Sequence, residues 1–281
     1  MTPLLVGLVL TAALLHAVWN AMAKSGGQPE FSIGAYQLVG SVICIGLSTL
    51  VPIPARESWL LIFASVIIHN LYYFSLARTY RAGDLSQVYP LFRGLAPVLV
   101  AFGAVILADE WLSPGTLLGI VVVSVGVISL AFRNATLGAM PHKALFWGLT
   151  TSLLIACYTV VDGLGVRAAG NSISYILWLF IFEVVPIGLI LLFTQRQAWI
   201  GYLCERPAMV ITGGIASSAA YGLVIFAMSL GAMAVVSSLR ETSVIFAAII
   251  GAMFLREPFG PARIRAALLV ATGIILIHII G

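Results

Sequence analysis

The chain has 281 residues, 61% of them hydrophobic and only 9% charged, with a formal net charge of +4 at pH 7 and a mean hydropathy of +1.11. A soluble domain carries about 25% charged residues, so this composition excludes a water-facing globular surface and makes lipid the solvent of most of the chain. The 14 Lys and Arg are scattered singly between apolar runs, which excludes a nucleic-acid footprint and suits the loops of a membrane protein.

A helix of about twenty apolar residues crosses the hydrocarbon core. No stretch alternates with the two-residue period of a membrane barrel, so helices are the spanning element. Ten spans are expected, at 3–23, 31–52, 58–80, 86–107, 114–132, 144–168, 172–194, 208–230, 233–254 and 262–280. The first, in MTPLLVGLVLTAALLHAVWN, lacks a basic leader and a small-x-small cleavage site, and so reads as a span rather than a signal peptide. Short Gly-, Pro- and charge-bearing connections separate the spans, among them PIPARE, RAGD, ADEWLSPG and REPFGP. TQRQAW…CERP is read as the connection between spans seven and eight. The loop between spans eight and nine is nearly absent, at Leu230-Gly231-Ala232. Cys44, Cys157 and Cys204 show neither metal spacing nor a disulfide framework. No metal or cofactor is expected, and no segment is long enough for a soluble domain.

The chain repeats itself. LFRGLAPVLVAFGAVILADEWLSPGTLLGIVVVSVGVISL from Leu91 aligns with SLRETSVIFAAIIGAMFLREPFGPARIRAALLVATGIILIHI from Ser238. A shift of 147 places Arg93 on Arg240, Glu110 on Glu257 and Gly126 on Gly273. LLHAVWNAMAK from Leu14 resembles LLIACYTVVDG from Leu153, which sets Asn20 opposite Thr159. The chain therefore divides into halves 1–138 and 139–281, each of five spans. An odd number of spans inverts the second copy in the membrane, an arrangement that puts a substrate site near the midplane between the repeats.

Two five-span halves, each carrying a Glu (Glu110, Glu257) before a short turn and a Gly-bearing last span, resemble the EamA-like branch of the drug/metabolite transporter superfamily. HAVWNAMAK, VYPLFRGLAPVLVA and LRETSVIFAA resemble a subgroup associated with phosphonate utilisation. The resemblance implies an all-α membrane protein with ten helices around a central cavity, in the bacterial inner membrane, moving a small-molecule cargo. Membership does not name the cargo, because one fold hosts many. Pro97 is present in the first half, but Val244 stands where many relatives have a second Pro.

Ionisable groups within spans are costly unless paired or wet. Arg93 and Arg240 hold equivalent positions in the fourth and ninth spans, and two guanidiniums facing one cavity suit a carboxylate, phosphate or phosphonate. The competing reading is a structural ion pair with Glu241 or Glu183. His16, Asn20 and Lys24 recur every four residues on one face of the first helix, flanked by Trp19. Lys24 reads as a membrane-edge residue. Asn70, Tyr89 and Tyr158 are further candidates for substrate contact. Glu183, Glu241 and His69 are candidates for proton coupling, and Asp162 belongs to the same polar interior.

These residues point to a secondary transporter, monomeric or homodimeric, whose cargo is anionic or zwitterionic, such as an amino acid or a phosphonate-like solute. Nucleotide loops, zinc-protease helices and nucleophile elbows are missing from the sequence, so an enzyme is not expected. A flippase for lipid-linked sugars and an intramembrane enzyme are the alternatives. Orientation rests on two opposed arguments. Ten Lys and Arg fall in the loops following odd-numbered spans, against Arg56 and Arg167 in the others, which places both termini outside the cytoplasm. The family resemblance implies cytoplasmic termini.

Overall fold

A computed structural model describes residues 1–26, 28–82, 85–132, 141–254 and 260–281. Among these residues every regular element is helical: α1 (Pro3–Ser25), α2 (Pro29–Ser48), α3 (Arg56–Ala82), α4 (Leu85–Ala108), α5 (Pro114–Ile128, continued by a 3-10 turn to Phe132), α6 (His142–Ala168), α7 (Ser172–Thr194), α8 (Arg196–Glu205), α9 (Pro207–Met228), α10 (Met233–Arg240), α11 (Ser243–Phe254) and α12 (Pro261–Ile279). Nine of the described helices are long and apolar enough to cross a membrane. The protein is an all-α, multi-pass membrane protein.

Local sequence sets the helix starts. Thr2 caps α1, Ser113 caps α5 and Asn171 caps α7, each side-chain oxygen accepting a backbone N–H of the first turn. Pro opens α1, α2, α5, α9 and α12, where its missing N–H has no partner to lose. Large apolar side chains such as Phe102, Ile106, Phe146, Ile190 and Phe193 are exposed on the outside, whereas Arg93, Asp162, Glu183, Arg240 and Glu241 are buried. This reversal of the soluble pattern follows from lipid as solvent.

Two expectations need correction. The expected ninth span, 233–254, is not one helix. It breaks after Arg240 into α10 and α11, and i→i+3 bonds bridge the turn: Glu241 N–H to the Ser238 carbonyl, Thr242 N–H to Leu239 and Val244 N–H to Glu241. Val244, in the position equivalent to Pro97, lies just past this break. The stretch from Arg196 to Glu205, expected as a connection, is the short helix α8. Trp199 and Tyr202, three residues apart on one face, are buried against Phe31 and Ala35 of α2, and the Tyr202 hydroxyl lies 2.8 Å from Ser32 Oγ. The expected Glu257 position and the Lys24 side chain lie outside the described residues.

Helix pairing follows the repeat. α1 packs on α9 and α3 on α6, α2 on α7, and α5 on α12. α4 packs on α6 as α10 and α11 pack on α1, and α2 packs on α9 as α3 packs on α7. Exchanging the first five spans with the last five maps each of these contacts onto another in the set, or, for α2–α7 and α5–α12, onto itself. The glycines at the α5–α12 crossing obey the same exchange. A Cβ on Gly273 would sit 2.8 Å from the Val123 nitrogen, and one on Gly126 would sit 3.1 Å from the Val270 nitrogen, both pairs being related by the shift of 147. Close backbone approach of this kind is how helices associate in lipid, where burial from water offers nothing. Hydroxyls add to the α3–α6 contact: Ser75 and Thr79 lie 2.8 and 3.0 Å from Thr151 Oγ1.

A polar cluster ties the two halves at the end of the bundle. Asp109 takes a left-handed conformation (φ 53°) after α4, and the following Glu110 accepts the Met233 N–H at the start of α10 (2.9 Å) while pairing with Arg167 at the end of α6. Arg167 also donates to the carbonyls of Met228 (3.0 Å) and Gly231 (2.8 Å), filling the tight loop between α9 and α10.

Gly273→Val places carbon against backbone atoms of α5 that cannot move aside, including the Gly119 carbonyl 2.7 Å from the new Cβ. Overpacking of this kind costs about 1–3 kcal/mol. The variant is expected to melt at lower temperature in detergent, while Gly7→Ala, which meets nothing within 4 Å, melts with wild type. Equal melting of all three would mean that the α5–α12 contact does not limit stability.

Candidate functional site

The polar groups of α1, α2, α3, α4, α6, α7, α9 and α10 converge on one cavity of about 90 Å³. Helical spacing brings each set to one face: Ala12, His16 and Trp19 on α1, Ile33, Tyr36, Gln37 and Gly40 on α2, His69, Tyr72 and Tyr73 on α3. Arg93, Tyr158, Phe180, Glu183, Ser217, Ser218, Tyr221 and Arg240 complete the wall that matters for its chemistry. α5 and α12, packed on each other, contribute nothing to the lining.

Of the residues singled out from sequence, Arg93, Arg240, His16, Trp19, Tyr158, Glu183 and His69 line this cavity. Asn20, Asn70, Tyr89 and Glu241 do not. The Asn20 amide turns back to its own helix and donates to the His16 carbonyl (2.7 Å). Its repeat counterpart Thr159 does the same to Ile155 (2.7 Å). Asn70 donates to the Val66 carbonyl (2.9 Å) and reaches the Glu183 carbonyl (3.5 Å). Tyr89 packs edge-on against Phe92 at 5.3 Å. Glu241 is fully buried beside the cavity wall.

Arg93 meets Glu241, with Nη2 2.8 Å from Oε1, and both side chains are almost wholly buried. The contact crosses from the first half of the chain to the second. It is a charge contact rather than an aligned hydrogen bond, since neither Glu241 oxygen finds a donor at hydrogen-bonding geometry. Arg240 lies in the electrostatic neighbourhood of the same carboxylate. Among the described residues no acidic oxygen lies within 4 Å of it, and its buried Nε and Nη2 have no hydrogen-bond partner. It is 3% exposed and faces the cavity. Pro97 adds to this polarity. Pro97 has no N–H for the Arg93 carbonyl four residues earlier, and the α10–α11 break lies at Arg240.

Glu183, set against the arginines as a possible partner on sequence grounds, has other company. Its Oε1 accepts the Tyr73 hydroxyl (2.9 Å) and the Gln37 amide (3.2 Å). Asp162 is fully buried behind Tyr221 and accepts the hydroxyls of Tyr175 (2.9 Å) and Tyr221. His69 stacks on Tyr158 with centroids 4.1 Å apart, and its Nδ1 lies 3.0 Å from the Ser65 carbonyl.

Sequence reasoning missed Tyr36, Gln37, Tyr72, Tyr73, Ser217, Ser218 and Tyr221. A signal existed for some of these. Tyr72 and Tyr73 follow His69 by three and four residues, which puts them on its face. Gln37 is the lone amide in the middle of an apolar span. Nothing in the ASSAAYG stretch of the eighth span separates Ser217 and Ser218 from ordinary small packing residues.

The buried charge contact makes a stability prediction. Removing one partner of a buried pair costs about 3–5 kcal/mol because the other charge is stranded. Glu241→Gln should therefore melt far below wild type, and the double replacement Glu241→Gln with Arg93→Gln should regain part of the loss. Glu183→Gln keeps an acceptor for Tyr73 and Gln37 and should melt close to wild type. A Glu241→Gln protein as stable as wild type would show that the contact is not structural.

Residues 142–279 match the model of the EamA-like transporter family. The fold is that of a known solved protein, described only as "Crystal structure of protein", with a TM-score of 0.76 at 16% identity over 97% of this chain and 95% of that one. No curated protein matches the chain in sequence. The second half of the chain, residues 142–279, thus matches the EamA-like transporter family, and the membrane-spanning helical architecture of the whole agrees with that match.

Proposed function

We propose that the protein is a secondary transporter of the bacterial inner membrane that carries a small metabolite bearing an anionic group by alternating access. The charge count at the wall of the cavity carries this reading. Two buried guanidiniums, Arg93 and Arg240, face one nearby carboxylate, Glu241. An uncompensated buried ion costs several kcal/mol, and an entering carboxylate, phosphate or phosphonate offsets that cost through charge-assisted hydrogen bonds. The two arginines occupy equivalent places in the two halves, 1–138 and 139–281, so the anion would sit where the halves meet and be exposed to either side as they rock. No nucleotide-binding motif stands in the sequence, so a solute or proton gradient is taken as the energy source. A cavity of about 90 Å³ lies well below the ~300–1,000 Å³ of drug-sized sites, which favours a small soluble cargo over a lipid-linked sugar.

A thermal-shift screen of amino acids, phosphonates, sugars and amines on purified protein should select solutes with an anionic group. For such a solute, Arg240→Gln should weaken binding by roughly tenfold to a hundredfold, the range expected for one desolvated charge-assisted bond. Arg240→Lys should recover only part, because an ammonium does not reproduce the guanidinium fork. Selection of neutral or purely cationic solutes, or full affinity in Arg240→Gln, overturns the anion reading. Transport in proteoliposomes that requires ATP hydrolysis overturns the secondary mechanism.

A further inference from the structure

We infer that Glu110 and Arg167 are the latch of a gate that shuts one end of the bundle, and that the central cavity is reached from that end only when the latch opens. This rests on the alternating-access reading and assigns one of its two entrances to named residues. At the Glu110 end the connections pair across the two halves of the chain. The Ala55 N–H, between α2 and α3, donates to the Ala169 carbonyl at the end of α6 (3.0 Å), and the Ser174 hydroxyl of α7 donates to the Pro52 carbonyl (2.6 Å). Beside them, Glu110 accepts the Met233 N–H (2.9 Å) and pairs with Arg167, whose guanidinium also donates to the carbonyls of Met228 (3.0 Å) and Gly231 (2.8 Å). Arg167 thus fastens α6, the loop between α9 and α10 and the segment after α4 at one point.

Beneath the latch the way to the cavity is filled. On α9 the cavity lining stops at Val224, about one turn short of Met228, and on α10 Arg240 stands about two turns from Met233. Val9, Met228, Met233 and Val236 occupy these levels in one apolar cluster, each at 0% exposure. Toward the α8 end the lining of α2 begins at Ile33, about one turn inside that helix. There α2 meets α8 through the neutral contact of Ser32 with Tyr202.

Among the described residues two ion pairs join the halves, and they differ in how they can part. Arg93 and Glu241 are 4% and 0% exposed, so separating them strands charge inside the bundle. Arg167 and Glu110 are 33% and 13% exposed. Water takes over their charges as they separate, which makes a contact of this kind weak and reversible. The Met228 carbonyl closes α9 and the Gly231 carbonyl lies in the loop after it, where water also replaces the lost donors. The buried pair is suited to hold the fold through a transport cycle, and the partly exposed pair to break within it.

The test uses the full chain in membrane vesicles, with Cys44, Cys157 and Cys204 replaced by Ala and one reporter, Ser217→Cys, in the cavity wall. A membrane-impermeant maleimide is applied from one side at a time, in vesicles of both orientations. Ile53→Cys, between α2 and α3, and Gln197→Cys, on α8, are exposed positions that identify the side each vesicle presents. In otherwise wild-type protein the reporter should react slowly from the Glu110 side. Glu110→Gln keeps an oxygen for the Met233 N–H and removes the charge that Arg167 meets. This variant and Arg167→Gln should speed reaction from the Glu110 side about tenfold, the shift that loss of one charge-assisted contact gives a two-state equilibrium. Reaction from the α8 side should slow in both. Arg167→Lys should fall between, because an ammonium keeps the charge without the guanidinium fork. Rates unchanged in both Gln variants, with the wild-type reporter reacting from either side, overturn the latch and leave alternating access standing. Reaction from the α8 side alone in every variant overturns alternating access and the latch with it. Fast reaction from the Glu110 side in the wild type shows that end to be open, and a rise there with no fall on the α8 side is a leak; either overturns the latch.

Discussion

The arrangement of this protein depends on one constraint: ionisable side chains held in lipid, where water cannot solvate them. Arg93, Asp162, Glu183, Arg240 and Glu241 are all buried within helices or at a helix break in membrane-spanning segments. Each must find its partner inside the bundle. The bundle meets this demand unevenly. Asp162 takes two tyrosine hydroxyls, Glu183 takes a tyrosine and an amide, and Glu241 takes a guanidinium. Arg240 takes none of these, and the imbalance gives the cavity its character.

Packing makes that imbalance possible. The α5–α12 crossing, the hydroxyl contacts between α3 and α6, and the glycine contacts between α2 and α9 hold the helices close with little help from charge. Gly213 and Gly214 admit Tyr36 and Val39 of α2 against α9. Tyr36 is thereby fixed at the cavity wall, beside Trp19 at a ring separation of 6.4 Å. Small residues on one helix thus set the position of a large one on the next, and the polar lining inherits its geometry from apolar contacts several residues away.

Much of the fold is legible in the sequence because lipid imposes a coarse rule. Hydropathy and Pro- or Ser-marked starts locate α1 to α7, α9 and α12 within a few residues, and the shift of 147 aligns contacts that the structure shows in both halves. The misses have physical causes. α8 is too short and too mixed in character to register as a span, and its buried face is only Trp199 and Tyr202. The break at Arg240 has no proline to announce it, because Val244 stands in the place equivalent to Pro97. The site was legible where a charge is conspicuous in an apolar run, as at Arg93, Glu183 and Arg240. It was illegible where ordinary residues line a wall, as at Ser217 and Ser218, since only the neighbouring helices decide which face is inward. The sequence also left open whether Arg93 pairs with Glu241, because residues 148 positions apart carry no local signal of contact.

The interrupted ninth span has a mechanical consequence. α4 and the α10–α11 pair occupy equivalent places but are unequal as levers. α4 runs as one helix from Leu85 to Ala108, with Pro90 and Pro97 inside it. α10 is an eight-residue rod, buried along its whole length and joined to α11 by a turn. The end of α10 tied to Glu110 is therefore separated from α11 by a turn, and the joint coincides with Arg240. In a chain whose contacts are nearly symmetric, one half supplies a continuous helix and the other a jointed one, and the joint sits at a cavity-facing residue with no acidic oxygen of the described residues within 4 Å.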